Sequence, residues 1–122
     1  MAIVIKKDFK REGINFLTDD GFPLQLGINT YKKGDTIKTH VHQNRPITID
    51  NVQEVILVKQ GKAKVKLYDS QKAFLKSINL SAGDIIFFAG GGHGFEILDE
   101  TTLIEVKQGP YLGKNLDKVI IE

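Results

Sequence analysis

The feature that most constrains this chain is its rhythm: short apolar stretches cut by turn signals every 8–12 residues. Leu24, Leu26 and Ile28 alternate with Gln25, Gly27 and Asn29, the period-two pattern of a strand with one buried face. Further strands are expected over Glu54–Lys59, Ala63–Tyr68, Phe74–Leu80, Ile85–Ala89, His93–Leu98 and Thr102–Lys107. Turn chemistry separates them at Lys33-Gly34-Asp35, Gln60-Gly61-Lys62, Asp69–Lys72 and Ser81-Ala82-Gly83-Asp84. Glu54–Lys59 and Ala63–Tyr68, joined by a tight turn, read as the clearest hairpin. Ala2–Ile5 suits a strand at a sheet edge, Thr36–His42 reads as another strand, and 43–53 reads as a loop. No window of 12 or more residues keeps a helical apolar period, and no internal repeat is present. The expected class is therefore all-β, a sandwich or barrel of about ten short strands.

A chain of 122 residues makes one domain, residues 1–122, with enough length for a real core. It contains no cysteine, so disulfides and thiolate zinc sites are excluded. The N-terminal MAIVIKKD becomes charged too early for a signal-peptide core, and the apolar run Ile85–Ala89 is far too short for a bilayer. A cytoplasmic protein without a membrane partner is the expectation. The net charge of +2 comes from the cluster Lys6, Lys7, Lys10 and Arg11, opposed by Asp8 and Glu12, and the remaining charges balance. A nucleic-acid binder needs a basic face interleaved with aromatics, so no nucleic-acid partner is expected.

The three histidines carry the chemistry. His40 and His42 are one residue apart, which on a strand puts both rings on one face, roughly 6.5–7 Å apart along the chain. At that spacing two imidazoles can converge on one ion, with metal–nitrogen bonds of roughly 2.0–2.1 Å. Glu54 and His93, each at the start of a later strand, are the candidate further ligands. Such a set suits iron, manganese, zinc, nickel or copper rather than calcium. Locally, the histidines share the polar face with Thr36 and Lys38, opposite Ile37, Thr39 and Val41. That is the pattern of a solvated strand face, unless the face lines a polar cavity at a barrel mouth.

Gly34, five residues, His40-Val41-His42, then Glu54, six residues, Gly61 resembles the first motif of the cupin superfamily. Gly83-Asp84, the strand Ile85–Phe88, and Ala89 through His93 resemble its second motif in order. The two stretches, 34–61 and 83–97, would be the core of a single cupin domain. The resemblance implies a jelly-roll β-barrel and one divalent transition metal ion held by His40, His42, Glu54 and His93. Between His42 and Glu54 stand eleven residues where the family usually has three or four, Ala89 replaces the family proline, and the terminal asparagine is absent.

The enlarged 43–53 loop would lie at the barrel mouth, where Arg45 offers a planar fork to a carboxylate or phosphate. Glu96 is a second candidate for substrate contact, although three residues from His93 it falls on the opposite strand face. The resemblance implies a metal-dependent enzyme, an oxygenase or isomerase acting on a small polar molecule. Its wording near the second motif points to a sugar or sugar nucleotide of polysaccharide pathways. A non-catalytic ligand-binding or sensory module is the alternative, and no residue stands out in sequence as the proton-transfer group an enzyme needs. Val55–Val58, apolar on both faces, implies a homodimer, with Ala2–Ile5 a candidate to join the partner's sheet.

Overall fold

The structure, a computed structural model, describes residues 1–121 apart from the side chain of Lys114; Glu122, the last residue of the expected domain, lies outside them. In chain order the elements are β1 (Ala2–Ile5), β2 (Gly13–Phe16), β3 (Gly27–Thr30), β4 (Glu54–Gln60), β5 (Lys62–Tyr68), β6 (Phe74–Ser81), β7 (Ile85–Phe88), β8 (Gly92–Ile97), β9 (Thr102–Lys107) and a single helical turn, α1 (Lys114–Asp117). The protein is all-β. A four-stranded antiparallel sheet runs β1-β7-β4-β9, a three-stranded one runs β6-β5-β8, and β2 with β3 forms a separate ribbon. Among the described residues no sheet closes into a barrel. No helix of the described residues is long and apolar enough to cross a membrane.

The two larger sheets share one core. Ile56 and Val58 of β4, Ile86 and Phe88 of β7, Val65 of β5 and Leu80 of β6 are all buried together. Each such side chain contributes roughly 1.5–3 kcal/mol by leaving water. Strand β7 is enclosed on both faces, as its unbroken apolar run requires. Ile86 and Phe88 face the core, while the alternate Phe87, fully buried, lies under the ring of Phe22 at 6.0 Å.

Several strands differ from the sequence expectation, each for an identifiable reason. The expected hairpin of 54–59 with 63–68 does not form: β4 pairs with β7 and β9, whereas β5 pairs with β6 and β8. Gly61 is the corner between the sheets. Its φ of +94° favours glycine, and a side chain there would collide with the Glu100 carbonyl and Thr101. The expected strand at 24–28 starts later, at Gly27, because Gln25 is committed to the preceding loop. Its amide donates to the carbonyls of Asp19 and Phe22 at 2.9 and 3.0 Å, and its oxygen accepts from Thr18 Oγ1 at 2.6 Å. The released strand pairs instead with β2, over 13–16, where no strand is expected from the sequence.

Thr36–His42 is not a strand. Every residue from Tyr31 to Val52 is exposed, and beyond a turn at Lys33-Gly34 the segment has no regular structure. Ile37 and Val41 are the only strongly apolar residues on their face of it, too few to hold a strand by burial. The segment is tethered at its far end, where Asn51 Nδ2 donates to the Ala89 carbonyl at 2.5 Å. β1 pairs in register with β7 of its own chain, at the sheet edge expected for it.

Candidate functional site

The two sheets diverge at one end into a cavity of about 810 Å³. Alternation along β4 turns Glu54, Ile56 and Val58 to the inside, so the carboxyl is the outermost member of a core-facing row. His93 stands near the start of β8 in the opposite sheet, just after the glycine run. Gly91 allows that approach. Its φ is +78°, and a Cβ there would come within 2.5 Å of the Tyr68 carbonyl oxygen. His93 Nε2 and Glu54 Oε1 meet across the layers at 2.8 Å, both in the wall of the cavity. The imidazole lies flat on Phe88, with ring centroids 3.8 Å apart and planes 7° apart, and Phe95 approaches both rings edge-on. An aromatic floor therefore fixes the ring plane, while the carboxylate fixes which nitrogen faces inward.

Glu105 and Lys107 on β9 complete the polar patch. In register, Lys107 is opposite Glu54 and Glu105 opposite Ile56, and all four line the cavity. Burial pushes the Glu54 carboxyl up, but hydrogen bonds from His93 and Glu105, with the charges of His93 and Lys107, outweigh it and hold the group below the ordinary glutamate value. The neighbouring Glu105 is raised, first by its hydrogen bond to Glu54, then by burial and by the Glu54 charge. Two carboxyls side by side disfavour ionisation of both, and Glu105 is the one of the pair that holds its proton more tightly. Lys107 is raised in turn by Asp117, whose Oδ2 it meets at 2.8 Å.

The candidates from sequence thus separate. Glu54 and His93 come together. His40 and His42 remain close to one another, ring centroids 5.2 Å apart and edge to face, on the exposed 31–52 segment, with His40 Nδ1 2.7 Å from the Lys38 carbonyl oxygen. They do not join the Glu54–His93 pair, and among the described residues no group of three or more metal-ligating side chains is assembled. Arg45 lines a separate, shallower cavity of about 580 Å³ beside Phe16, Phe22 and Thr48. Glu96 faces away from the larger cavity and lies 4.0 Å from Lys64, its cross-strand partner.

Glu105 and Lys107 escape sequence reasoning because the apolar Ile104 and Val106 alternate with them and suggest the opposite facing. The available signal is Leu103, two residues before Glu105 on the same face, which packs against the core. In comparisons with protein-family models, with curated proteins and with solved structures, nothing matched this chain.

Proposed function

We propose that this chain is a metal-binding protein of the cupin type, a jelly-roll domain acting on a small polar molecule in the Glu54–His93 cavity. One observation carries the reading. Two residues selected from motif spacing, 39 positions apart, meet at 2.8 Å from opposite sheets in the wall of a cavity of about 810 Å³. An imidazole nitrogen and a carboxylate oxygen are the donor types a first-row divalent ion takes. These two fit such an ion as half of its protein ligands, and His40 and His42 would supply the other half. Among the described residues β8 pairs on one side only, with β5, leaving its other edge without a strand beside His93. The segment bearing His40 and His42 has no strand partner of its own.

When bound, iron, manganese, zinc or nickel would supply Lewis acidity or, for iron, oxygen chemistry. The chain's own residues have separate tasks. Glu54 and His93 would hold the ion, Phe88 and Phe95 keep the imidazole from turning, and the apolar walls limit water. Glu105, beside Glu54 in the cavity, is a carboxyl within reach of a bound molecule's hydroxyl groups, and it favours an enzyme over a purely binding module. Hydroxyl-rich ligands such as a sugar or sugar nucleotide suit this mixture of carboxylates, Lys107 and aromatic rings.

The test is elemental analysis of protein purified without a chelating tag, wild type beside Glu54→Ala and His42→Ala. Near-stoichiometric metal in the wild type, lost in both variants, is expected. Full retention in both variants means that other residues bind the ion. No uptake by the wild type, even with added divalent ions, leaves a metal-free ligand-binding domain.

A further inference from the structure

One wall of the cavity is made by neither sheet. After β9 the chain turns back through α1, and residues 117–121 line the cavity of the Glu54–His93 pair, reaching from Lys107 on β9 to Gly92 on β8. Among the described residues, one ion pair and one apolar contact fasten this strap. Asp117 Oδ2 meets Lys107 Nζ at 2.8 Å, both side chains about one-fifth exposed, and Ile121 packs on Gly92, its Cδ1 3.0 Å from where a Cβ on that glycine would stand.

Little else of the strap is buried. Leu116 is 77% exposed, Val119 80% and Ile120 67%, so apolar packing contributes little to keeping the strap in place. At its upstream end Gly113 has φ +93° with open space around its α-carbon, and the short helix is joined to it by bonds from the Leu116 and Asp117 amides to the Gly113 carbonyl. A segment with few buried contacts, fastened at two points and lying over a cavity, is drawn from the low-stability end of a structure.

We propose that residues 113–121 form a lid over the Glu54–His93 pair, pivoting near Gly113 and latched by Lys107–Asp117. The lid controls entry to the cavity, and its apolar underside sets the width of the molecule that fits. Because Lys107 also lies opposite Glu54 in the sheet, the latch stands beside that carboxyl, and the strap narrows access to His93, whose side chain stays 30% exposed, rather than sealing it. The inference concerns access alone and holds whether or not an ion is bound.

Carbethoxylation of histidine by diethyl pyrocarbonate, followed by peptide mass spectrometry on the full chain, measures that access directly. In chelator-treated, metal-free protein, His40 and His42, both exposed and outside the cavity lining, serve as internal standards. Asp117→Asn removes the latch charge with almost no change in shape, and Ile121→Ala loosens the other attachment. The His93 rate should rise about two- to fivefold in Asp117→Asn, the change that loss of a part-exposed ion pair produces. It should rise further in the double variant, with His40 and His42 unchanged. In the unaltered protein, high salt should have the same direction of effect by screening the latch. A His93 rate that neither the substitutions nor salt changes would overturn the proposal.

Discussion

Asp84 offers the sharpest test of how the closed end of the molecule is held. Its side chain is nearly buried, and it accepts from the backbone amides of Ser81 and Lys7 at 2.8 Å each and from Lys6 Nζ at 3.3 Å. The same turn is tied to β4 through the Val58 amide, which donates to the Asp84 carbonyl at 2.9 Å, and the Gly83 amide, which donates to the Val58 carbonyl at 2.7 Å. Asp84→Ala strands two amide donors, at roughly 1–3 kcal/mol each, so a loss of about 2–5 kcal/mol is expected. The Lys6 contact adds little, since that ammonium is largely solvated.

Asp84→Asn keeps an acceptor oxygen and isolates the charge. Burial pushes the Asp84 carboxyl up, but the Ser81 and Lys7 amides and the Lys6 ammonium outweigh it and hold it below the usual aspartate value. A depressed folded value means that its stabilisation is fully present above the unfolded pKa, about 3.9, and is lost as pH falls through the lower folded value. Urea unfolding followed by circular dichroism should show a gap of about 1.5–3 kcal/mol between wild type and Asp84→Asn near neutrality. That gap should hold down to about pH 4 and close below it. A neutral-pH gap under about 0.5 kcal/mol, or one indifferent to acid, would refute the reasoning.

His93→Ala should cost about 1–3 kcal/mol at neutral pH, because the nearly buried Glu54 loses its partner. With that partner gone, burial still pushes the folded Glu54 value up and only the Glu105 hydrogen bond and the Lys107 charge oppose it, so the loss should shrink as pH falls and Glu54 takes up a proton, and Glu54→Gln in the same background should restore stability. Chemical denaturation across pH reads both effects. The outer face of the four-stranded sheet leaves Ile104 44% and Val106 53% exposed, and a homodimer covering it should become a monomer on Val106→Lys. Light scattering at micromolar concentration decides this, and a wild-type monomer rejects the dimer.

Much of the strand inventory was legible because burial imposes alternation: β4 through β9 fall where apolar periodicity and turn residues place them. Partner choice was not. Gln60-Gly61-Lys62 has hairpin chemistry, yet the collision a side chain at Gly61 would make with Glu100 and Thr101 marks a corner between sheets. The pair Glu54–His93 was legible from spacing, whereas Glu105 was hidden because Ile104 and Val106 advertise the wrong inner face. Local alternation at 36–42 overstated its strand potential, since a strand needs a neighbour to pair with and a face to bury.

The layers are joined differently at their two ends. Around Gly61, Gly83 and Asp84, backbone bonds lock turn to strand. At the other end the chain itself crosses between the layers, through the three residues 89–91 that join β7 to β8, and the side chains of Glu54 and His93 meet beside that crossing. The pair is thus a side-chain brace set next to a covalent staple, and the short reach of three residues bounds how far apart the carboxyl and the imidazole can stand. The geometry of the site is written in the length of that connection as much as in the two side chains.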